Sequence, residues 1–308
     1  MNDDQQQELK ELAGDSVLIN EPLSSHTSIR IGGPADFFLT PKSKEEIQPI
    51  IAWAVDKKIP VFVLGSGSNL LVRDKGIRGL VISLKKLDRF ERTEGNVVWA
   101  EGGVFLPKLV EWTAQEGLSG LEPLIGVPGT VGGAVSMNAG TREGQISDVL
   151  QDITVLVKGK ETILTNAQLK FDYRTSKLPR GAIILQARFQ LAPGETEKIE
   201  KKIRQFKERR LETQPLNYPS FGSVFKNPPK SAKHPAFAAE MIEEAGLKDV
   251  RIGKARISPK HSNFIINEGG ATARDVIRLM GLTRDKVKEK FDVLLEPEVK
   301  IVGEANGE

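Results

Sequence analysis

The chain contains no cysteine and only three histidines among its 308 residues. Without cysteine it can form no disulfide, has no thiolate nucleophile and offers no sulfur ligand to a metal. His26, His234 and His261 fit no H-E-x-x-H pattern, and no G-x-S-x-G segment is present. Zinc-dependent hydrolysis and serine-hydrolase chemistry are therefore not expected.

Long apolar runs and a strong charge imbalance are also missing. No run approaches the roughly 18 residues of a membrane span, and the start from Met1 to Lys10 lacks the apolar stretch of a signal peptide. The 44 basic and 41 acidic side chains are interspersed and leave a net charge of +3. We therefore expect a cytoplasmic protein with neither a membrane nor a nucleic acid as partner.

Small residues are concentrated in two segments, 64–70 and 126–140. Five of the fifteen residues of the second segment are glycine and two are alanine. Such a segment cannot build a core of its own, but its backbone N–H groups can approach a large polar ligand that a Cβ would block. The first segment directly follows an apolar run, Val61 to Leu64, which is typical of a strand. Together the two segments predict an extended ligand with a pyrophosphate.

Two familiar phosphate motifs do not fit these segments. A dinucleotide-binding G-x-G-x-x-G needs a third glycine before a helix, and Leu70 occupies that position. No segment supplies the G-x-x-x-x-G-K-[ST] of a P-loop. Two tight turns in a β-rich domain stay open as an alternative explanation.

The apolar spacing predicts alternating helices and strands, and the length predicts two or three domains. A helix over 43–57 begins at a predicted capping box of Ser43 and Glu46. Further helices are predicted over 106–116, 195–211, 236–245, 272–280 and 283–291, and strands over 61–64, 79–84, 96–101, 153–157, 182–191 and 263–266. We expect an N-terminal lobe of residues 1–59 with a returning strand at 297–302, a second domain of residues 60–206, and a third of residues 207–296.

Polar residues that could carry chemistry lie in three short clusters. Arg174 lies in 172–176, and its alternative role is a surface ion pair. Ser223, Lys226 and Asn227 lie in 222–228, which could equally be a turn that enters a strand. Glu298 follows Pro297 at the start of a predicted strand, where a solvated strand end is the alternative.

These segments together resemble the UDP-N-acetylenolpyruvoylglucosamine reductase family. The resemblance covers nearly the whole chain in the family's order, through 26–35, 64–70, 125–140, Tyr173-Arg174-x-Ser176, 222–228 and Glu296-Pro297-Glu298-Val299. It implies an α+β fold with an FAD-binding domain of the vanillyl-alcohol-oxidase type, residues 60–206, and a C-terminal α+β substrate-binding domain, residues 207–296. One form of the family carries an extra loop with a tyrosine that clamps the substrate nucleotide. Because Tyr173 and Tyr218 belong to other motifs, the shorter form without this loop is expected.

The resemblance also implies the cofactors. FAD is expected to be non-covalent, since no cysteine exists and no histidine lies between residues 27 and 233. NADPH is implied as the hydride donor. The implied FAD contacts are Arg30, Gly65, Ser66, Gly67, Ser68, Asn69, Leu70, Pro128, Gly129, Gly132, Gly133, Ala134, Ser136, Asn138, Ala139 and Gly140.

The implied reaction reduces the enolpyruvyl ether of UDP-N-acetylglucosamine to UDP-N-acetylmuramate for peptidoglycan synthesis. By resemblance, Arg174 is a cation for the substrate carboxylate and the developing enolate, and Ser223 is the proton donor. Glu298 assists protonation or polarises the enol. The implied substrate contacts are Tyr173, Lys226, Asn227 and His261.

Two alternatives remain open at this stage. A flavoprotein sugar or alcohol oxidase of the same fold would have a different C-terminal unit and usually a tethering histidine. A nucleotide-binding module without catalysis would keep the glycine-rich segments but have no use for Ser223 and Glu298. The oligomeric state is not predicted by any feature of the sequence.

Overall fold

The structure is a computed structural model, and it describes residues 3–229, 231 and 234–305. Contacts divide the chain into two discontinuous units. The first unit comprises Met1–Ile19, Asp36–Ser66 and Gly79–Arg210, and the second comprises Asn20–Ala35, Gly67–Arg78 and Leu211–Glu308. The three-part division expected from the sequence stays a prediction.

The helices of the described residues range from one turn to five. They are α1 (Asp3–Ala13), α2 (Lys44–Asp56), α3 (Leu106–Gln115), α4 (Val131–Ser136), α5 (Asn166–Leu169), α6 (Thr196–Thr213), α7 (Ala238–Glu244) and α8 (Ala273–Phe291). None of them is both long enough and apolar enough to span a membrane.

The strands are short and mostly antiparallel. They are β1 (Val17–Pro22), β2 (Pro34–Leu39), β3 (Val61–Leu64), β4 (Leu70–Val72), β5 (Ile77–Ser83), β6 (Phe90–Arg92), β7 (Val97–Glu101), β8 (Leu118–Ser119), β9 (Leu150–Val157), β10 (Lys160–Thr165), β11 (Ile183–Gln190), β12 (Ala192–Pro193), β13 (Arg251–Ile252), β14 (Ala255–Ile257), β15 (Ile265–Asn267) and β16 (Lys300–Val302).

The first unit is built around a five-stranded antiparallel sheet of order β10-β9-β11-β7-β6. The first three residues of the central strand β11 are all buried, and from Leu185 to Gln190 burial alternates, as expected where one face of a sheet covers a core. Phe189 lies opposite Val98 of β7, and both are fully buried in a core shared with α3, α4 and α6. This sheet therefore supports α4 and the glycine-rich segment that contains it.

A second sheet, of order β1-β2-β5-β3, contains the parallel pair β3 and β5, in which Val61 lies opposite Leu80 and Leu64 opposite Ser83. Because parallel strands end at the same edge, the residues that follow β3 and β5 start from a common side of the sheet. The segment 64–70 therefore begins at this edge.

The second unit combines three short strands with α7 and α8. Its sheet has the order β13-β14-β15, and β16 pairs in parallel with β4, with Lys300 opposite Leu70. Its core contains Met241 of α7 and Val276 of α8, both fully buried. β16 thus lies within the second unit.

Two expectations about local structure were wrong. The helices predicted over 272–280 and 283–291 form one helix, α8, because Leu279, Met280 and Val287 continue a single buried face past Gly281. Ser43 is the N-cap of α2 but makes no side-chain capping bond, since the Glu46 carboxylate accepts from the Lys42 N–H instead.

The segment 126–140 builds no core of its own, but it contributes to a core shared with other elements. Its central residues form α4, and Val131, Ala134 and Val135 are buried within the core of the first unit. Small residues here permit a short helix to lie close to the sheet, in addition to any role with a ligand.

Candidate active site

The N-terminus of α4 is occupied by the protein itself. The Val131 N–H donates to the Val104 carbonyl at 2.9 Å, and the Gly132 N–H donates to the Gly102 carbonyl at 2.8 Å. The Thr130 side chain accepts from the Gly133 N–H as a helix cap. The first turn therefore has no N–H groups left for an anion, and the segment can contact a ligand only through its other atoms.

The two glycine-rich segments meet at Gly65 and Thr130, both in the first unit. A Cβ at Gly65 would lie 2.6 Å from Thr130 Oγ1, closer than side chains approach, so only glycine fits. Next to Gly65, the Ser66 hydroxyl is buried and has no partner in the described residues. A buried hydroxyl of this kind requires a polar partner, which a bound ligand can supply.

The end of segment 64–70 lies in the second unit, where it supports Glu298. Gly67 has a φ of +63°, and a Cβ there would lie 2.1 Å from the His26 carbonyl. The Asn69 amide donates to the Glu298 carbonyl at 3.1 Å, and the Asn69 carbonyl accepts from the Lys300 N–H. Leu70 then begins β4, which continues this pairing with β16.

The segment 26–35 closes on itself around Thr27. The Thr27 hydroxyl donates to the Ile31 carbonyl, while the Arg30 N–H donates to the Thr27 carbonyl. Arg30 has a φ of +58° and an exposed side chain. The tight turn thus presents the Arg30 guanidinium to solvent.

Arg174 lies at the tip of a tight turn. The N–H and carbonyl groups of Asp172 and Thr175 pair with each other, which leaves Tyr173 and Arg174 at the corner, and Arg174 has a φ of +58°. The Arg174 guanidinium lies over the Tyr173 ring, 5.2 Å from its centroid.

This turn is attached to the glycine-rich segment through side chains. Arg174 Nη1 donates to the Gly140 carbonyl at 2.8 Å, and the Asn138 amide donates to the Asp172 carbonyl at 3.1 Å. The Ser176 hydroxyl donates to the Ser136 carbonyl. Three hydrogen bonds therefore connect 172–176 to the end of 126–140 within the first unit.

Most of the implied FAD contacts of this segment are buried. Pro128 and Gly133 are exposed and Ser136 is half-buried, whereas the others are buried, namely Gly129, Gly132, Ala134, Asn138, Ala139 and Gly140. A ligand at this segment would meet backbone and small side chains.

Ser223 and Glu298 are brought together by backbone pairing within the second unit. Phe225 forms an antiparallel bridge with Pro297, the Glu298 N–H donates to the Val224 carbonyl at 2.8 Å, and the Lys226 N–H donates to the Glu296 carbonyl. This register places Glu298 opposite Val224, the residue after Ser223. Both Ser223 and Glu298 are half-buried.

The other implied substrate contacts have protein partners in the second unit. Lys226 forms an ion pair with Glu296 at 3.4 Å. The Asn227 side-chain carbonyl accepts from the Ala238 N–H at the start of α7, and its amide hydrogens have no partner among the described residues. Burial lowers the pKa of His261, whose ring packs edge-on against Phe264. His261 is therefore neutral at pH 7.

Several residues of the site carried no sequence signal. Asn263, 4% exposed, holds the Ser223 segment, because its side chain accepts from the Phe225 N–H and donates to the Phe225 carbonyl. Lys300 lies two residues after Glu298; the residue as a whole is exposed, but partial desolvation of its ammonium group lowers its pKa. An asparagine beside one strand and a lysine in another have no distinctive spacing, so only their contacts reveal them.

The chain is similar in sequence to known proteins over nearly its whole length. Residues 35–165 match the family model of an FAD-binding domain, and residues 214–302 match that of the UDP-N-acetylenolpyruvoylglucosamine reductase C-terminal domain. A reductase of that name from Clostridium tetani is 44% identical over 96% of this chain and 95% of its own length. The chain belongs to the UDP-N-acetylenolpyruvoylglucosamine reductase family.

Two further relatives agree with this assignment. The reductase of the same name from Caldanaerobacter subterraneus subsp. tengcongensis is 46% identical over 96% of this chain and 97% of its own length. The crystal structure of UDP-N-acetylenolpyruvylglucosamine reductase from Thermus caldophilus matches with a TM-score of 0.78 at 37% identity, covering 92% of this chain and 97% of the other. The predicted α+β fold, with an FAD-binding domain of the vanillyl-alcohol-oxidase type and a C-terminal α+β domain, is confirmed.

The chain is thus an oxidoreductase with FAD as its cofactor, and its residues fit that cofactor. The Ser66 hydroxyl, which is buried and lacks a partner in the described residues, can bond a polar group of that cofactor. Among the described residues no cluster of His, Asp or Glu could hold a metal ion.

Proposed function

We propose that this chain uses NADPH and FAD to reduce the enolpyruvyl ether of UDP-N-acetylglucosamine to UDP-N-acetylmuramate. One observation carries the proposal: relatives with the matching reductase name share 44–46% of the residues over 96% of the chain. The nicotinamide donor and the sugar nucleotide are the small-molecule partners in this proposal.

The cofactor, when bound, accepts a hydride from a nicotinamide and passes it to a carbon of the substrate. Ser66 is our candidate for a hydroxyl contact to it, with the backbone of 64–70 and 126–140 around it. FAD is held without a covalent bond in this proposal, since the chain has no cysteine.

Arg174 binds the substrate carboxylate in the proposed mechanism. When the methylene carbon accepts the hydride, negative charge develops on the carboxylate side of the double bond. A guanidinium fixed by the Gly140 carbonyl meets that charge without reorganising. Tyr173, whose ring supports the guanidinium, lies beside it.

Ser223 gives its proton to the carbon that carries the ether oxygen. A free hydroxyl is too weak an acid for this task, so neighbouring groups must assist it as a proton donor. Glu298, opposite Val224 in the backbone register, is our candidate for assisting this proton transfer. The Asn227 amide, Lys226 and the neutral His261 ring are proposed substrate contacts.

The finer points of the assignment are also proposals. The chain belongs to the shorter form of the family, because neither tyrosine of its sequence is available for a separate clamping loop. Residues 60–206 act as the FAD-binding domain and residues 207–296 bind the substrate. The enzyme works in the cytoplasm, where nucleotide-linked precursors are made.

A two-step anaerobic experiment tests the function. NADPH should bleach the yellow protein, and the enolpyruvyl sugar nucleotide should then restore the colour and yield UDP-N-acetylmuramate. In air, reoxidation with release of hydrogen peroxide and no response to the substrate would identify an oxidase instead. A colourless protein that cannot be reconstituted with FAD would leave only a binding module.

The non-covalent attachment of FAD has its own test. Acid precipitation of the purified protein should leave the flavin in the supernatant. Flavin that stays with the precipitate would show a covalent bond and contradict this part of the proposal.

A further inference from the structure

The last two turns of α6 carry three basic side chains with unequal surroundings. Lys207 pairs with Glu111 at 2.6 Å, and Arg209 pairs with Glu143 at 2.8 Å. Arg210 has no hydrogen bond or ion pair with any described residue. Two of the three cations therefore have a carboxylate partner, and the third does not.

Arg210 is also the most shielded of the three. Its side chain is half-buried, its Nε is closed off from solvent, and burial lowers its pKa. A guanidinium withdrawn from water without a partner is costly, and such groups usually face a counter-ion. Nothing in the described chain supplies one.

The position of Arg210 connects it to the glycine-rich segment. A Cβ at Gly126 would lie 3.3 Å from Arg210 Cδ and 3.6 Å from its Nη1, so the guanidinium lies against the backbone where that segment begins. Thr130, four residues further on, is within about 14 Å of Gly126 by chain length alone. Thr130 also touches Gly65, beside the unpartnered Ser66 hydroxyl.

We propose that Arg210 binds a diphosphate group of a nucleotide used by this enzyme. A planar guanidinium donates two parallel hydrogen bonds to phosphate oxygens, and a diphosphate supplies the missing negative charge. FAD is the first source to test, because Gly126 lies within residues 35–165, which match the FAD-binding domain. The sugar nucleotide carries the same chemical group and is the second source.

The test compares Arg210→Met and Arg210→Lys with Arg209→Met in the purified holoenzymes. Methionine keeps much of the aliphatic part of the side chain, and lysine keeps the charge but not the two parallel N–H donors of the guanidinium. Arg209→Met removes a paired cation from the adjacent position. FAD release on serial dilution, followed by flavin fluorescence, gives the FAD dissociation constant. The KM for the sugar nucleotide and the binding of UDP, followed by the flavin spectrum, give the second measurement.

Arg210→Met should weaken one of the two ligands about 10- to 100-fold, the effect typical of a lost hydrogen bond to a charged group. For the same ligand, the dissociation constant of Arg210→Lys should lie between those of Arg210→Met and the parent. That of Arg209→Met should remain within about twofold of the parent value. Weaker FAD binding with unchanged UDP binding would identify the FAD diphosphate as the ligand of Arg210. The reverse result would identify the substrate diphosphate.

Unchanged binding of both ligands in Arg210→Met and Arg210→Lys would overturn the proposal. The free carbonyl groups at the C-terminal end of α6 would then be sufficient to stabilise the guanidinium. Because FAD binding is measured without turnover, failure here is distinguishable from failure of the proposed reaction.

Discussion

The turn that carries Arg174 and the segment that carries Ser223 are positioned by different means. The turn at 172–175 is attached to its surroundings through side chains, since Asn138 and Arg174 itself supply the bonds. The segment 224–226 is held mainly by backbone pairing with 296–298. The Arg174 side chain therefore contributes to the position of its loop, whereas the Ser223 side chain contributes to no described hydrogen bond.

This difference decides what a substitution can reveal. Changing Ser223 alters the chemistry of one oxygen while the backbone pairing remains. Changing Arg174 alters charge and position together, at a residue whose left-handed backbone is already unfavourable.

The largest effect is expected for Ser223→Ala. Bleaching by NADPH requires no proton donated to carbon, so it should proceed at the parent rate. Return of the colour with the enolpyruvyl substrate should slow by about 10²–10⁴-fold, as for a missing general acid. Stopped-flow measurement of both half-reactions checks this.

Two further variants control the Ser223 result. Ser223→Cys, which can donate a proton, should recover part of the activity, and Ser25→Ala, an exposed serine of the same unit, should change neither half-reaction. Equal slowing of both half-reactions in Ser223→Ala would show that the hydroxyl shapes the flavin site instead.

Arg174→Lys should slow reoxidation about a hundredfold. Lysine keeps a point charge but cannot bind Gly140 and a carboxylate through one planar fork, and a lost donor of this kind costs roughly 3 kcal/mol. The loss should be mostly in kcat. Arg180→Lys, an exposed arginine nearby, is the control. Turnover equal to that of the parent would remove Arg174 from the reaction.

Asn263→Ala tests whether the Ser223 segment depends on its long-range partner. The variant leaves the Phe225 N–H and carbonyl without their buried side-chain partner, which should cost about 2–4 kcal/mol of unfolding free energy. Urea unfolding measures this, with the exposed Asn217→Ala as control. A cost below about 0.5 kcal/mol would show that pairing with 296–298 holds the segment alone.

His261 gives the smallest expected effect. Since burial lowers its folded-state pKa, the unfolded chain binds more protons between that value and about 6.5. Its contribution to stability is therefore complete above about pH 6.5 and is lost as the pH falls through this window. His261→Gln should lose less stability than the parent between about pH 7.5 and about pH 5.5. His234→Gln serves as control, and identical pH slopes in all three proteins would contradict the assignment.

The sequence predicted the regular elements of the first unit well. β3 has the predicted bounds, and α3 and α6 differ from prediction by one or two residues. These elements have clear apolar periods and start or end at glycine or proline. Of the strands of two or three residues, β15 and β16 overlap the strands predicted over 263–266 and 297–302. The others, β6, β8, β12, β13 and β14, were missed, because so short a run has no period to detect.

Local sequence also located the close approaches of the backbone but not their partners. The glycines at 65 and 67 mark contacts with Thr130 and the His26 carbonyl, yet nothing near them in sequence names those partners. Similarly, Asn69 was predicted as a cofactor contact, and its amide supports the Glu298 carbonyl. Its role toward FAD stays a prediction.

By itself, the sequence determined the fold class, the reductase family and which residue types lie in the candidate site. These depend on patterns that each segment carries alone. Only the tertiary structure decided that Val224 lies opposite Glu298 and that the Asn263 side chain bonds both the N–H and the carbonyl of Phe225. It also decided that Arg210 lies against Gly126 with no counter-ion among the described residues. The physical reason is that hydrophobic periods repeat within a few residues, whereas the partner of a polar group is chosen by which distant segments pack beside it.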